Sequence, residues 1–182
     1  MLVPTPVEAR AFEPAVAVEV CGFGLAAAGV GAMAAIARHR PSRLILAGIA
    51  GSYDAAQAPV GSAVVAGRVR CVGIGAGGSS AAELGFAESD QLELDGGSAL
   101  ALSVASASAS AAQAAERLLA YPEAVLEEME GYAVALAAMT AGIPCVMVRG
   151  ISNLAGHRAR GDWDVDAALD AARRCLDTIL AG

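Results

Sequence analysis

The amino-acid sequence predicts an α/β fold, because segments of helical character alternate with short apolar runs typical of buried strands. Residues 25–39 have the composition of a helix, and residues 43–47 that of a central strand. Further along, residues 133–139 suit a helix that ends at Gly142. The continuous apolar run 145–148 follows and predicts a strand buried on both faces.

Polar side chains flank this last predicted strand. Glu127, Glu128 and Glu130 come before the helix, and Arg149 and Asn153 are expected at or just past the carboxyl end of the strand. In open α/β sheets, ligands bind at the carboxyl ends of strands. The sequence therefore predicts a binding site where these two segments meet.

Two motifs, Glu-Met-Glu-Gly at 128–131 and Val-Arg-Gly-Ile-Ser-Asn at 148–153, resemble those of the nucleoside phosphorylase and nucleosidase superfamily. Within it, the chain is most similar to the futalosine hydrolases. These resemble the methylthioadenosine/S-adenosylhomocysteine nucleosidases but usually have Asn where those have Asp. The resemblance covers most of the chain from Cys21 onward, plus a short match around Glu8.

The resemblance implies a three-layer phosphorylase/hydrolase-like fold, in which a central mixed twisted sheet is flanked by helices. It also implies a single nucleosidase-like domain over residues 1–182. The chain departs from its relatives near the start, because only residues 9–20 separate Glu8 from Cys21. Relatives usually fit a longer helix and an extra pair of strands there, so we expect a shortened N-terminal region and a thinner pocket wall.

Composition and charge exclude several classes of function. The 182 residues include no lysine, which excludes a Schiff-base lysine and a P-loop lysine. A net charge of −7 with scattered arginines argues against nucleic acid as a partner. The four cysteines are widely spaced and there are two histidines, so we expect no metal site and no cofactor.

We expect no membrane partner and a cytoplasmic location. Pro4, Pro6 and Glu8 interrupt the start of the chain, and no basic segment of the signal-peptide type precedes them. The apolar run 25–37 is too short to span a bilayer.

Glu8 has two interpretations. Thr5-Pro6-Val7-Glu8, which follows a short first strand within residues 1–4, matches a capping box with Thr5 as N-cap. In the superfamily, a glutamate just after the first strand activates the attacking water, so the resemblance implies that Glu8 is the general base. We expect both roles to coexist only if the side chain can leave the cap.

The remaining segments predict further strands and loops. Residues 48–52 are typical of a tight turn, and in the superfamily the backbone of such a turn lines the ribose site. Residues 75–97 predict a loop, interpreted either as a cover for the substrate or as a plain surface excursion. The other expected elements are strands at 15–20, 60–65, 68–74 and 99–105, a helix ending near Ala120, and a last helix capped by Asp162 or Asp164.

The resemblance assigns roles in the cleavage of an N-glycosidic bond. Glu130 would hold the ribose hydroxyls, Met129 would pack on the sugar, and Asn153 would donate to the purine, with Glu128 as a supporting acid. The rest of the expected substrate-binding set is Gly51, Arg149, Ile151 and Ser152. The alternative for the two glutamates is stabilisation of a helix N-terminus, and for Arg149 it is a structural ion pair.

Asn153 bears on the substrate, because an amide can donate to O6 or N7 of a 6-oxopurine and accept from N1–H. This favours hypoxanthine as the leaving base. The expected reaction is hydrolysis of futalosine to hypoxanthine and dehypoxanthine futalosine, a step of menaquinone biosynthesis. We expect a small-molecule purine nucleoside as the partner, and a homo-oligomer because relatives are mostly dimers or larger.

Three alternatives stay open: an adenosine-type nucleosidase acting on methylthioadenosine, S-adenosylhomocysteine or aminofutalosine; a purine nucleoside phosphorylase; and a non-catalytic nucleoside-binding paralogue. Ile49 weakens the phosphorylase alternative, since a serine there would offer a hydroxyl to an anion. Arg10 and Arg68 are available for a phosphate site, but neither lies in a phosphorylase-like motif.

What stacks on the base is open from sequence. The candidate aromatic residues are Phe23, Tyr53 and Phe86. The basic cluster His157, Arg158 and Arg160 is either a solvated loop or a grip on a substrate carboxylate, such as the benzoate of futalosine.

Overall fold

Strands and helices alternate along the computed structural model, which describes residues 1–12, 17–85, 90–159, 161 and 163–181. The strands are β1 (Leu2–Val3), β2 (Glu19–Val20), β3 (Leu44–Ser52), β4 (Ala63–Cys71), β5 (Gly75–Ala76), β6 (Ser79–Ser80), β7 (Gln91–Glu93), β8 (Ala99–Ser103), β9 (Ala124–Glu128) and β10 (Cys145–Leu154). The helices are α1 (Pro6–Phe12), α2 (Leu25–His39), α3 (Ala111–Ala120), α4 (Gly131–Thr140) and α5 (Val165–Ala181).

Eight of the described strands form one mixed sheet, and β5 pairs with β6 in a separate hairpin. Strand β3 is parallel to β1 and to β10 and antiparallel to β9. Strand β4 is antiparallel to β10 and parallel to β8, which is parallel to β9. The pairings therefore run from β3 through β10, β4, β8 and β9 back to β3, and the middle of the sheet closes into a ring.

Helices cover the two faces of this sheet. Successive side chains of a strand point to opposite faces, so apolar residues in sequence give each strand two apolar faces to bury. Leu44 and Leu46 of β3 pack with α2 and α4, whereas Ile45 and Ala47 pack with α1 and α5. Strand β10 divides its side chains between the same two layers. The expected three-layer α/β arrangement around a central mixed sheet is confirmed. Within the described ranges, no helix combines the length and the apolar character needed to cross a membrane.

Several expected elements are confirmed at their predicted places. Helix α2 has the expected bounds, α3 ends at Ala120, and α4 ends before Gly142, which has a φ of 69°. Asp164 caps α5 by accepting from the Ala167 N–H at 3.0 Å through Oδ1. Asp162 lies outside the described residues, as do residues 15–16 of the strand expected at 15–20, of which β2 is the described part.

Other boundaries were wrong. The turn expected at 48–52 is instead the second half of β3. The strands expected at 60–65 and 68–74 are the single strand β4, with a register shift between Ala66 and Arg68. Strand β9 was not foreseen, and the segment 75–97 contains β5, β6 and β7 in addition to loop. Residues 86–89 of that segment lie outside the described part of the chain.

Strand β10 is also longer than expected, and this matters for the site. It runs to Leu154, so Arg149 and Asn153 lie within the strand and not past its end. Its pairing with β3 shifts in register between Ile151 and Asn153.

Candidate active site

A cavity of about 310 Å³ opens where the ends of β3, β9 and β10 meet the first turn of α1. This volume is at the small end of the range for ligand pockets. Seven of the expected site residues line it, namely Glu8, Gly51, Glu128, Met129, Glu130, Ser152 and Asn153. Arg149 and Ile151 do not: both are fully buried, Ile151 in the core and Arg149 behind the carboxylates.

The guanidinium of Arg149 holds the carboxylates behind the cavity. Its Nη2 donates to Glu128 and, at 3.2 Å, to Oε2 of Glu130. Desolvation would lower the pKa of Arg149, but the charges of Glu128, Glu130 and Glu8 outweigh it and raise that pKa. Arg149 is therefore a buried cation fixed by its carboxylate neighbours.

Gly48 of β3 gives this guanidinium its room. It is paired with Arg149 across the β3–β10 ladder. A Cβ on Gly48 would lie 2.5 Å from Nη1 of Arg149 and 2.7 Å from Oε1 of Glu8. Glycine is required here because two charged groups approach the backbone closely, and not because the chain turns. Nε and Nη1 of Arg149 have no hydrogen-bond partner within the described residues.

Glu128 organises the start of α4. Its Oε2 accepts from the backbone N–H groups of Glu130 at 2.8 Å and Gly131 at 2.6 Å. Ser103 donates its hydroxyl to Glu128 and accepts from the Tyr132 N–H at 2.7 Å. Glu128 therefore satisfies helix N–H groups that have no partner within the helix, while Arg149 offsets its buried charge.

Glu130 reaches from the start of α4 to the start of α2. Its Oε1 accepts from the Gly24 N–H at 2.9 Å. Burial is the main cause that raises the pKa of Glu130, and the charge of Glu128 adds to it against the opposing effect of Arg149. A carboxyl held in this way, 3% exposed and facing the cavity, is suited to binding hydroxyl groups of a ligand.

Glu8 caps α1 and lines the cavity in one and the same conformation. The Glu8 N–H donates to the Thr5 hydroxyl at 3.4 Å, and that hydroxyl donates to Oε2 of Glu8 at 2.7 Å. Oε1 accepts from the Ile49 N–H at 3.1 Å, on β3. The carboxylate thus closes the start of α1 and still lines the cavity, without leaving the cap.

Asn153 presents its amide in a fixed orientation. Nδ2 donates to the Leu154 carbonyl at 2.8 Å, and Oδ1 accepts from the Ser152 hydroxyl at 2.8 Å. Because a carbonyl can only accept, the Leu154 oxygen determines which end of the amide carries the NH₂. One N–H and one lone pair of the amide remain available to a ligand.

A second buried network surrounds Glu127, which also lines the cavity. Glu127 accepts from the Ser108 N–H at 2.8 Å, from the Arg117 guanidinium at 2.8 Å and from the Tyr53 hydroxyl at 2.8 Å. Burial first, and then Glu127, raise the pKa of Tyr53. These contacts hold the loop after β8, whose Ala107 lines the cavity. Tyr53 is used in this network and does not line the cavity.

Among the residues that the structure describes, two aromatic side chains line the cavity, Phe23 and Trp163. Phe86 lies outside the described residues. Trp163 was not foreseen, although it is the only tryptophan of the chain and follows the Asn153 motif closely. Arg158 also lines the cavity, and Arg160 lies outside the described residues.

The arginines considered for a phosphate site lie elsewhere. Arg68 pairs with Glu123 at 3.1 Å, and neither Arg68 nor Arg10 lines the cavity. In the described part of the chain, no group of three His, Cys, Asp or Glu side chains is arranged to hold a metal ion.

Comparison with known proteins places this site in a family. The family model described as the phosphorylase superfamily matches residues 80–181, which include the β9–α4 junction and all of β10. The chain belongs to the phosphorylase superfamily. The resemblance drawn from the motifs at 128–131 and 148–153 is confirmed.

The superfamily members most informative here are a futalosine hydrolase and two solved structures. Futalosine hydrolase from Streptomyces coelicolor is 34% identical over 179 residues, which cover 82% of this chain and 75% of that protein. The structure of futalosine hydrolase from Helicobacter pylori matches with a TM-score of 0.84 and 16% identity, over 99% of this chain and 95% of that one. A methylthioadenosine/S-adenosylhomocysteine nucleosidase from the same organism, with butyl-thio-DADMe-Immucillin-A, matches with a TM-score of 0.84 and 17% identity, over 99% and 96% of the two chains. At these identities, the structural matches establish the fold.

Replacement of Arg149 by methionine should destabilise the protein strongly. The change removes the buried cation and leaves Glu128 and Glu130 without a counter-charge, which typically costs about 3–5 kcal/mol in the free energy of unfolding. Arg173→Met, at an exposed position of α5, is the matched control and should cost less than about 0.5 kcal/mol. Urea unfolding measures both.

The deficit of the Arg149→Met variant should also grow with pH. Arg149 opposes the raised pKa of Glu130, so its loss raises the folded-state pKa further above the unfolded value. A group with a raised folded-state pKa stabilises the protein below its unfolded pKa, and this contribution is lost as pH rises through the folded pKa. The deficit should therefore be smaller at about pH 5 than at about pH 8. A deficit that does not vary with pH would assign the loss to packing.

Proposed function

We propose that this chain is a purine nucleosidase that hydrolyses the N-glycosidic bond of futalosine to hypoxanthine and dehypoxanthine futalosine, a step of menaquinone biosynthesis. The observation that carries the proposal is the placement of Glu8, Glu130 and the oriented amide of Asn153 around one cavity. The futalosine hydrolase relative, which shares 34% identity, supports the same reaction.

Glu8 is the general base of the proposed reaction. Its carboxylate accepts from the Ile49 N–H and the Thr5 hydroxyl, and these contacts hold it at the cavity wall. A water proton passes to Glu8 while the water oxygen bonds to C1′ of the ribose. The bond from C1′ to the purine nitrogen breaks, and its electron pair leaves with the base.

Glu130 binds the ribose hydroxyls. The Gly24 N–H and Arg149 hold the two oxygens of its carboxylate, so the group is oriented before the substrate arrives. Met129, which lines the same cavity, packs on the sugar. Arg149 and Glu128 act through Glu130 and are positioning residues, because Arg149 does not reach the cavity and Glu128 is committed to the start of α4.

Asn153 reads the leaving base. Its free N–H donates to O6 while its free lone pair accepts from N1–H, or the N–H donates to N7 alone. The same donor stabilises the negative charge that grows on the base as the bond breaks. The Leu154 carbonyl keeps the amide from turning to suit a 6-amino purine, because it accepts only from the NH₂ end. Gly51 lies beside the amide, at the cavity wall.

The charge of the cavity argues against a phosphorylase. Four of its described lining residues are glutamates, at positions 8, 127, 128 and 130. A phosphate ion would enter this acidic site against like charge. The Ile49 N–H, which would otherwise be free to face an anion, is already donated to Glu8.

The proposal includes the whole molecule as one nucleosidase-like domain over residues 1–182 that forms a homo-oligomer in the cytoplasm. Support for a partner comes from α2, which carries no charged side chain from Leu25 to Ala37 and exposes Val30 and Met33. Support for the location comes from the four cysteines, which are all free thiols. Sedimentation equilibrium tests the assembly.

Purified protein should release hypoxanthine from futalosine at the same rate with and without phosphate. Aminofutalosine, methylthioadenosine and inosine serve as comparison substrates, and we expect futalosine to have the highest kcat/KM. Chromatography of the sugar product separates the mechanisms. A sugar 1-phosphate would overturn hydrolysis, and a preference for the 6-amino compounds would overturn the substrate.

Glu8→Gln should lower kcat by about 10²–10⁴-fold, the usual cost of losing a positioned base. The amide oxygen of glutamine can still accept from the Ile49 N–H, and its NH₂ can donate to the Thr5 hydroxyl oxygen, so the melting temperature should change little. Thr5→Ala is the comparison variant: it removes the hydroxyl that caps α1 and contacts Oε2 of Glu8, which should cost about 0.5–2 kcal/mol of stability. It keeps the carboxylate and the contact of that carboxylate with the Ile49 N–H, so its kcat should fall much less than that of Glu8→Gln. If Glu8→Gln instead keeps its rate and melts earlier, Glu8 serves only the cap.

Asn153→Asp should shift specificity towards 6-amino purines. An ionised aspartate at this position would place an oxygen against the Leu154 carbonyl and offer no donor to O6. A buried polar group left unpaired costs about 1–3 kcal/mol, so kcat/KM for futalosine should fall by about one to two orders of magnitude. Aminofutalosine should lose less, because a protonated aspartate can donate to N7. An unchanged ratio between the two substrates would show that Asn153 does not read the base.

A further inference from the structure

We infer that Arg158 and Trp163 form a carboxylate-binding subsite at the mouth of the cavity. The inference rests on the proposed function, because the ligand is the part of the nucleoside that extends from the ribose towards solvent. The subsite selects nucleosides whose substituent carries a carboxylate on an apolar spacer.

The two side chains form one stacked unit. The guanidinium carbon of Arg158 lies 4.8 Å from the centroid of the Trp163 ring. Nε1 of Trp163 donates to the His157 carbonyl at 2.9 Å, so the ring is tied to the loop that carries Arg158. Two backbone hydrogen bonds join the described residues around this pair to β10. The His157 N–H donates to the Leu154 carbonyl at 3.0 Å, and the Asp164 N–H donates to the Ser152 carbonyl at 2.8 Å. The guanidinium is therefore held in a defined plane at the cavity.

Arg158 differs from the other arginines near the site in its lack of an ion pair with a described acidic residue. Arg117 pairs with Glu127, and Arg149 pairs with Glu128 and Glu130. In the part of the chain that the structure describes, no ion pair involves Arg158. It is also the single cation among the described lining residues of the cavity. Its charge is thus available to a ligand.

The depth of each group assigns it to a part of the substrate. Glu130 and Asn153 are each 3% exposed, so ribose and base lie deep in the cavity. Arg158 is exposed and meets the part of the ligand that reaches solvent. Val7 and Phe23 line the same cavity and are 61% and 64% exposed. These apolar side chains suit a spacer between the ribose and the charged group.

The chemistry of a stacked guanidinium favours a carboxylate. Stacking on the ring occupies one face of the group and leaves the N–H donors at its edge, which match the two oxygens of a carboxylate. The deep glutamates and the cation at the mouth then orient the substrate, since an acidic substituent is repelled from the depth and attracted to the mouth.

The fluorescence of Trp163, the only tryptophan of the chain, reports on the subsite directly. Dehypoxanthine futalosine is a suitable probe, because it keeps the carboxylate and has no glycosidic bond to cleave. Arg158→Gln should raise its Kd about tenfold, as expected for an exposed charge-assisted contact. The Kd of the methyl ester should change by less than about twofold, within the range of an exposed substitution. Arg158→Lys should keep part of the preference, and Arg174→Gln, at an exposed position of α5, should keep all of it.

Steady-state kinetics test the same subsite independently of fluorescence. Arg158→Gln should raise KM for futalosine and leave its kcat and both constants for inosine unchanged. Equal effects on acid and ester, or on futalosine and inosine, would overturn the subsite and leave Arg158 as a partner of the tryptophan ring. Inosine 5′-monophosphate bound as tightly as the carboxylate probe would overturn the choice of carboxylate. If the enzyme cleaves no nucleoside, the proposed function fails, and the fluorescence titration still decides the subsite.

Discussion

The buried cation of Arg149 is the interaction on which the rest of the site depends. Burying a charge costs several kcal/mol unless partners of opposite charge and hydrogen bonds offset it. Here one guanidinium forms ion pairs with two carboxylates, those of Glu128 and Glu130. The charge of a third carboxylate, that of Glu8, also helps to raise the pKa of Arg149. These acids come from the β9–α4 junction and α1, while the arginine comes from β10. The ion cluster therefore fixes how three separate segments meet.

The cluster imposes a requirement on the backbone around it. Gly48 of β3 leaves the space through which Arg149 and Glu8 approach each other, and at Gly131 a Cβ would lie 2.8 Å from Oε1 of Glu128. Glycine weakens strands and helices by roughly 0.5–1 kcal/mol relative to alanine. Strand β3 tolerates this because β10 pairs with it along its whole length and helices cover both faces. The parallel pairing of β3 with β10 thus keeps β3 a strand although its glycines have a low propensity for strands.

The same requirement explains which parts of the structure could be predicted from sequence. Helix α2, α4 and the start of β10 follow from composition and from Gly142, because nothing at those positions competes with propensity. The glycines in the run 48–52 predict a turn because glycine usually interrupts a strand, whereas in the fold charged side chains need the space at Gly48. The sequence does not predict strand β9, because Glu127 and Glu128 are atypical of a buried strand. Glu127 is buried because Arg117 and the Ser108 N–H bind it, and Glu128 because Arg149 and the nearby Glu130 N–H bind it. Arg117, Ser108 and Arg149 belong to other segments of the chain, so their contacts do not follow from the local sequence. The motifs indicated the site, but only the fold shows that Arg149 and Ile151 lie behind its wall.

The register shift in β10 explains why two consecutive side chains, Ser152 and Asn153, both face the cavity. In a regular strand, successive side chains face opposite sides, so Ser152 and Asn153 could not both line one cavity. Ile151 pairs with Ala50 and Asn153 with Gly51, which leaves Ser152 as the extra residue of a bulge. Both side chains consequently face the cavity, where the Ser152 hydroxyl bonds to the Asn153 amide while Ile151 stays in the core. The orientation of the amide follows from this irregularity together with the Leu154 carbonyl. The direction in which the cavity presents this amide is therefore set by the path of the backbone as much as by the identity of residue 153.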